Sequence, residues 1–387
     1  MTLFEQQAKE VFQQIDYDNI SQATKRIIDF TLDSESVELY RKVLNFLDLQ
    51  DREINKISLK DSMRDLLGEV LQVLELKQQK DYQNPNTLLT VENLIRSYPK
   101  SGFALGPISF SIKERQIIGL VGENGNGKTT LLRSLCGELR PTSGHIKYHF
   151  DYKDDYDLRS HLIYIPQRTD SWQGSLLSNL KFTASTYGIN GENNELVTQL
   201  VIARMGLRQF RNHSWKDLSS GYKMRFELAR ALLRKPKLLL IDEPLANLDI
   251  LAQQIVLDDF KDISNSAFRP IGIVLSSQQL YEVEKTSNSV IFLKNGSPRN
   301  IAEDTDVTYT EVPKFIIEFE TRNTQEEVRT AFAPLSLERL DINGGTYVAT
   351  FPDSVTTDDF LLLVLERKIP IAYFRNISKS TRRFFLS

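Results

Sequence analysis

The sequence contains one cysteine, Cys136, among its 387 residues. A single cysteine excludes an intramolecular disulfide framework and indicates a reducing compartment. Cys136 falls on the apolar face of a predicted helix, which indicates a buried thiol of the core. Histidine is also scarce, and its spacing is not typical of a metal site. We therefore expect none of the four to bind a metal: His145, His149, His161 and His213.

The chain also lacks an excess of basic residues, because 48 Lys and Arg against 51 Asp and Glu give a formal net charge of −3. No nucleic-acid partner is therefore expected. No apolar run reaches the roughly 18 residues that span a bilayer, and the start has no basic segment followed by an apolar one. We expect a cytoplasmic protein without its own membrane anchor.

One glycine-rich stretch fits the pattern G-x-x-x-x-G-K-[ST]. An apolar run that predicts a buried strand precedes it, and helical spacing follows it. Glycines let the backbone N–H groups point at phosphate oxygens, and the helix adds the positive end of its dipole. The lysine would reach the β- and γ-phosphates. The predicted nucleotide-binding residues are Gly122, Glu123, Asn124, Gly125, Asn126, Gly127, Lys128, Thr129 and Thr130.

Three regions of the chain differ in pattern, as its length leads us to expect. Residues 1–80 have apolar residues at helical spacing, which predicts an all-α domain, either a docking module or a structural appendage. A linker follows, over residues 77–86. Residues 87–300 alternate apolar strands with helices, as in an α/β fold. Residues 310–387 have the order β-α-β-β-α-β, which predicts an α+β ferredoxin-like domain for regulation, dimerisation or structural support.

Polar side chains follow two of the apolar strands. Asp242 and Glu243 end the most apolar run of the chain, and Gln167 follows the run at residues 162–165. In an open parallel sheet the ligand lies beyond the carboxyl ends of the strands. We therefore expect these three side chains to reach the phosphates.

A further motif stands between them, Leu218-Ser219-Ser220-Gly221-Tyr222-Lys223-Met224-Arg225. With this order of motifs, residues 87–298 resemble the ATPase subunit of an ABC transporter. The Gly-Tyr-Lys-Met-Arg form is similar to that of ATPases paired with a separately encoded permease, often in exporters. The resemblance implies an α/β P-loop NTPase core, ATP and Mg²⁺ as cofactors, and a place at the inner face of the cell membrane. The flanking domains lie outside it.

In this family two domains close on two ATP molecules, and each site uses the signature motif of the opposite subunit. One set of motifs per chain therefore implies a homodimer. Ser219, Ser220 and Gly221 would form an anion site for the partner's γ-phosphate at the start of a helix. Asp249 matches the loop that couples the two sites.

The resemblance also assigns catalytic and metal-binding roles. Glu243 would orient the attacking water or accept its proton, and Thr129, Gln167 and Asp242 would hold Mg²⁺. Tyr98 matches the aromatic residue that stacks on adenine, with an ordinary core or surface tyrosine as the alternative.

One position departs from the family pattern. After the predicted strand at residues 271–275 the family has a histidine that contacts the γ-phosphate, whereas this chain has Gln278. The amide of Gln278 can donate a hydrogen bond but carries no positive charge. We therefore expect slow hydrolysis, with Gln278 and Glu243 as the catalytic residues.

These observations favour a homodimeric ATP-hydrolysing subunit that powers transport, by export, through a membrane permease. A soluble ABC-type ATPase that acts on the ribosome or on DNA is one alternative. Ribosome-acting proteins usually carry two nucleotide domains and a charged linker, whereas this chain has one set of motifs and no basic tract. The other alternative, which Gln278 favours, is a weakly hydrolysing regulatory module not coupled to a permease.

Overall fold

The computed structural model describes residues 2–51, 56–77, 84–100, 102–169, 171–299, 314–343 and 345–378. Residues 78–83 of the predicted linker lie outside these ranges, as do residues 300–313 before the C-terminal unit and 379–387 at its end. None of the helices in the described ranges has both the length and the apolar character needed to cross a bilayer.

The first part of the chain is helical, as predicted, and its helices are α1 (Leu3–Asp16), α2 (Ile20–Ser34), α3 (Val37–Gln50) and α4 (Lys56–Glu75). Thr2 and Glu5 form a capping box that starts α1. The apolar faces of the four helices form one hydrophobic core, which also contains Leu200 and Ala267 from later in the chain. The N-terminal helices therefore pack directly on the central unit.

The central region contains two sheets. Their strands are β1 (Thr87–Tyr98), β2 (Phe103–Lys113), β3 (Ile117–Val121), β4 (Ser143–Tyr148), β5 (Leu162–Ile165), β6 (Leu238–Ile241), β7 (Gly272–Ser277), β8 (Ser289–Lys294) and β9 (Ser297–Arg299). The smaller sheet is antiparallel, in the order β2-β1-β4. The larger has the order β5-β6-β7-β3-β8-β9 and is parallel except for β9. Strands β3, β6 and β7 are buried throughout, as parallel strands covered on both faces should be.

Helices connect and cover these strands. They are α5 (Lys128–Leu135), α6 (Asp155–His161), α7 (Leu176–Thr186), α8 (Gly191–Arg204), α9 (Ser220–Leu233), α10 (Ile250–Ser264) and α11 (Leu280–Glu284), with 3₁₀ turns at Arg208–Phe210 and Trp215–Asp217. The predicted strand, loop and helix around residues 117–135 are confirmed, because β3 leads through the loop into α5. Cys136 caps the end of α5 and is buried, and this burial raises its pKa to about 11.

The C-terminal unit consists of β10 (Lys314–Thr321), α12 (Gln325–Phe332), a 3₁₀ turn (Ala333–Leu335), β11 (Arg339–Asn343), β12 (Thr346–Pro352), α13 (Thr357–Glu366) and β13 (Ile371–Asn376). Its sheet is antiparallel, in the order β11-β12-β10-β13. Aromatic rings fill the core between sheet and helices, and Phe332 stacks on Phe360 with centroids 5.0 Å apart. Arg375 of β13 lies 3.6 Å from Glu284 of α11, so an ion pair joins this unit to the central region.

Candidate active site

The glycine-rich loop runs from the end of β3 to the start of α5. Gly122 allows no side chain, because a Cβ there would lie 2.4 Å from the carbonyl oxygen of Leu293. Gly125 and Gly127 have φ angles of 84° and 99°, in the left-handed region that glycine adopts without strain. The N-cap of α5 is Gly127, which has no side chain to cap the helix, so the N-cap leaves the first N–H groups available to a ligand. The loop therefore has the curled backbone and uncapped helix end that suit phosphate oxygens.

Lys128 lies at the centre of this loop, with its side chain 5% exposed. The ammonium donates hydrogen bonds to the carbonyl oxygens of Gly122 at 2.6 Å and Glu123 at 3.2 Å. Its Nζ also lies 3.1 Å from Oε1 of Glu243. That oxygen is buried and makes no hydrogen bond of good geometry among the described residues, so its contact with Lys128 is one of charge. The lysine predicted to bind phosphate therefore faces the glutamate predicted to act in catalysis.

Asp242, which follows the last residue of β6, receives hydrogen bonds from side chains of three elements. Oδ2 accepts from the hydroxyl of Thr129 at 2.6 Å and from that of Tyr164 at 3.4 Å. Oδ1 accepts from the hydroxyl of Ser276 at 2.6 Å. Burial and the nearby Asp242 carboxylate raise the pKa of Tyr164, so the phenol stays protonated and acts as a donor. Asp242 is thereby fixed beside the first turn of α5.

Glu243 has a strained backbone, with a φ of 49°. A non-glycine residue in this region costs about 1–3 kcal/mol, and such residues cluster at functional sites. The backbone N–H of Glu243 donates to the hydroxyl of Ser276 at 2.8 Å, which holds this conformation. Ser276 thus contacts both carboxylate residues, and it directs the Glu243 side chain to its place near Lys128.

The two glutamines that the sequence assigns to the site lie at the same edge of the sheet. Gln167 comes two residues after β5, and Gln278 directly follows β7, whose last residue Ser277 pairs with Val121 of β3. Both glutamines are exposed, and among the described residues neither side chain makes a hydrogen bond. Their amides are therefore free to contact a ligand beyond the strand ends.

The signature residues lie at the start of α9. Ser219 is the N-cap and accepts a hydrogen bond from the N–H of Tyr222 at 3.5 Å. The hydroxyl of Ser220 donates to the carbonyl oxygen of Asn247 at 2.7 Å. Asp249 caps α10 by accepting from the N–H of Ala252 at 2.9 Å.

Gly221 faces α10, because a Cβ there would lie 3.5 Å from the Cβ of Ala252, which is an ordinary contact distance. The signature and the segment around Asp249 therefore form one connected surface within the chain.

Tyr98 ends β1 and lies half-buried. Its ring centroid is 6.3 Å from that of Phe103, and the Arg96 guanidinium lies 5.0 Å from the centroid of the Tyr98 ring. Phe103 in turn lies against Gly127 of the loop, 3.1 Å from the place of an ideal Cβ. Phe103 thus lies between Tyr98 and the loop, on the side of the loop that faces β1 and β2.

Sequence reasoning missed Ser276 and Tyr164. Ser276 is 0% exposed and is the second-to-last residue of a fully buried strand. A buried hydroxyl requires a hydrogen-bond partner, so a serine inside a predicted buried strand was the available signal. Tyr164 gave no comparable signal, because its partner depends on the pairing of β5 with β6.

Comparison with known proteins identifies relatives that share the central region. Residues 105–246 match the family described as ABC transporter. The ABC transporter ATP-binding protein YxlF of Bacillus subtilis is 31% identical over 210 residues, which cover 54% of this chain and 68% of YxlF. The spermidine/putrescine import ATP-binding protein PotA of Mesoplasma florum is 32% identical over 249 residues, which cover 60% of this chain and 67% of PotA.

A solved structure supports the fold of the same region. The cbiO1 protein of Clostridium perfringens, part of the ABC transporter complex cbiONQ, superposes with a TM-score of 0.50 at 24% identity. The superposition covers 55% of this chain and 87% of cbiO1. The central region therefore has the P-loop NTPase fold of these ATPases.

Proposed function

Since this chain belongs to the family of ABC transporter ATP-binding proteins and is an ATP-hydrolysing enzyme, we propose that it powers a separate membrane permease through ATP-driven pairing of two copies. The observation that carries this proposal is the convergence of Lys128, Thr129, Asp242 and Glu243 at the loop between β3 and α5. Lys128 would bind the β- and γ-phosphates through charge-assisted hydrogen bonds. Glu243 would then be released from its contact with Lys128 and be available to the attacking water.

The site suits a hard cation next to the phosphates. The Thr129 hydroxyl and the Asp242 carboxylate are oxygen ligands of the kind that Mg²⁺ prefers, and they already lie 2.6 Å apart. We propose that Thr129, Asp242 and Gln167 hold Mg²⁺, directly or through water. When bound, the cation would neutralise charge on the phosphates. Ser276 and Tyr164 keep the Asp242 carboxylate in position, because they donate to it from two other strands.

Pairing of two copies would complete each site. Ser219, Ser220 and Gly221 of one copy would bind the γ-phosphate held by the other, and Asp249 would contact the opposite site. The residues next to Asp249 support an interface there, because Ile250 and Leu251 are 84% and 77% exposed. Large apolar side chains exposed side by side are typical of surfaces that bind a partner.

We further propose a permease partner and a position at the cytoplasmic face of the membrane. Two observations differ on the direction of transport. PotA is named for import, whereas the Gly-Tyr-Lys-Met-Arg signature favours export, and we retain export as the proposal. Co-purification with a membrane protein would test the coupling. Isolation of the chain with ribosomes or DNA instead would support the soluble alternative.

The flanking units have proposed boundaries of 1–80 and 310–387, with the ATP-binding domain at 87–300. We propose a ferredoxin-like domain at the C-terminus, supported by the sheet order β11-β12-β10-β13. Its ion pair with α11 suits a regulatory or dimerisation role. The N-terminal helices remain proposed as a docking module, and their shared core with Leu200 and Ala267 adds a structural role.

The Lys128→Ala variant tests the placement of the site. We expect severe loss of ATP binding, because the main charged contact to the phosphates is removed. Lys147→Ala, at an exposed position on β4, is the matched control and should bind like the wild type. Calorimetry that finds equal ATP affinity for wild type and Lys128→Ala would refute the site.

A further inference from the structure

A cavity of about 230 Å³ lies between the N-terminal helices and the central region. Both parts of the chain line it, with α1 and α2 on one side and α8, α9, α10 and the segment after α10 on the other. The cavity contains none of the residues assigned to the nucleotide site. Its apolar lining includes Phe30, Val201, Ile263, Ala267 and Phe268.

The cavity is large enough for a small molecule. An engineered apolar cavity of about 150 Å³ binds benzene, so this one could hold a molecule somewhat larger than a single aromatic ring. Its apolar walls favour an apolar molecule, since contact with them removes apolar surface from water.

Most charged groups around the cavity already have partners. Asp33 pairs with Arg269, Asp29 with Arg204, and Asp262 accepts from Gln22. Glu114, Lys235 and Arg26 have partners too, and the remaining lining cation, Lys237, is half-exposed. A charged ligand would therefore be buried beside groups already neutralised, which is unfavourable. The ligand that suits this cavity is uncharged.

One lining residue has an unused acceptor. Gln7 of α1 is 4% exposed, and its Nε2 donates to the carbonyl oxygen of Asn265 at 2.7 Å. This bond fixes the orientation of the amide. Oε1 is buried and has no hydrogen-bond partner among the described residues. A buried acceptor without a donor costs free energy, so a ligand that supplies an N–H or O–H would recover it.

We propose that this cavity binds a small uncharged molecule with an apolar body of one or two rings and one N–H or O–H group that donates to Gln7 Oε1. The site lies outside the nucleotide site and does not depend on the proposed transport function. Because both the N-terminal helices and the ATPase helices line the cavity, the ligand stabilises their contact. Binding should raise the melting temperature by mass action.

Indole and benzofuran form a matched pair of probes, because they share size and shape and only indole carries a donor. We expect calorimetry on the full chain to show indole binding roughly fivefold to tenfold more tightly, as one net hydrogen bond allows. Gln7→Met, which keeps the length of the side chain but lacks the amide oxygen, should bring the two affinities together. Indole-3-acetate should bind more weakly than indole.

Ala267→Leu fills the cavity and should abolish binding of both probes, while leaving Gln7 unchanged. Circular dichroism on each variant checks that it is folded. The proposal fails if the wild type binds neither probe, which would mean that only water occupies the cavity. It also fails if the wild type binds both probes equally, or if Ala267→Leu still binds them. Should Gln7→Met not fold, the comparison of the two probes on the wild type and on Ala267→Leu still decides.

Discussion

The hydroxyl of Thr129 donates a hydrogen bond of 2.6 Å to Oδ2 of Asp242, and this bond joins the first turn of α5 to the end of β6. The other carboxylate oxygen is held from β7, because Ser276 donates to Oδ1 at the same distance. Ser276 also accepts from the N–H of Glu243. One buried serine thus fixes both acidic residues relative to the glycine-rich loop. Its hydrogen bond to the Glu243 N–H holds the strained backbone of Glu243 in place.

Replacing Ser276 by alanine should slow hydrolysis. The change leaves Asp242 Oδ1 and the Glu243 N–H without this partner, and a lost hydrogen bond to a charged group costs about 1.5–3 kcal/mol. If that energy falls mainly on the transition state, kcat drops by about tenfold to a hundredfold. Ser264→Ala is the control, since Ser264 is also buried and donates to the Ile271 carbonyl away from the site. Equal steady-state rates for the two variants would contradict the role given to Ser276.

Gln278 should set the rate of the wild type. Gln278→His adds a group that can carry positive charge near a γ-phosphate, so turnover should increase. Gln278→Ala should lower it, because that side then lacks a side-chain donor. Each step is expected to be roughly tenfold, as for one charged hydrogen bond. Gln279→His places the same side chain one residue further on and should leave turnover unchanged. Steady-state rates that are alike for wild type and both Gln278 variants would remove the residue from the site.

The buried ion pairs of Arg204, which join α2, α8 and α10, should contribute to the stability of the whole ATPase. This side chain is 0% exposed and contacts Asp29 of α2 at 2.7 Å and Asp259 of α10 at 2.6 Å. Asp259→Asn should lower the free energy of unfolding by about 3–5 kcal/mol, because it leaves part of a buried charge unpaired. Asp258→Asn, one residue earlier on the same helix, is the control and should cost much less. Denaturant unfolding measures both, and equal stabilities would contradict the buried network.

The same aspartate predicts a pH dependence. Burial acts to raise the pKa of Asp259, but Arg204 and Lys25 outweigh it and hold the pKa below its ordinary value of 3.8. Its contribution to stability is therefore present above that value and is lost as the pH falls through the lower pKa of the folded state. Between pH 6 and about pH 3, the wild type should lose more stability than Asp259→Asn. Parallel losses in the two proteins would assign acid unfolding to other groups.

The sequence predicted what is encoded locally. The glycine-rich loop is one continuous motif, and Asp242 and Glu243 follow an apolar run that is recognisable by itself. Ser276 was missed as a partner of both because its contact depends on the neighbouring positions of β6 and β7, which lie more than thirty residues apart. A local sequence pattern does not show how distant strands pair, so the contacts of Ser276 became known only from the structure.

The relation of the N-terminal helices to the rest was also not predictable. The helices themselves follow from apolar spacing and caps, but the linker suggested a separate unit. The structure instead has a shared core and a buried arginine whose partners Asp29 and Asp259 come from both parts of the chain. A chain that starts at Asn86 would lack Asp29 and would leave part of the buried Arg204 charge unpaired. We therefore expect it to be less stable than the full chain.

The central claim is that ATP pairs two copies of this chain, and the Glu243→Gln variant tests it most directly. The amide keeps the shape of the side chain but removes the base, so nucleotide should bind without being hydrolysed and the closed pair should accumulate. Adding Lys128→Ala to the same variant supplies the control. This double variant should remain monomeric because it does not bind ATP. Light scattering with ATP and Mg²⁺, at concentrations where nucleotide is bound, should give a dimer for Glu243→Gln and a monomer for the double variant. A monomer for Glu243→Gln with ATP bound would contradict the account.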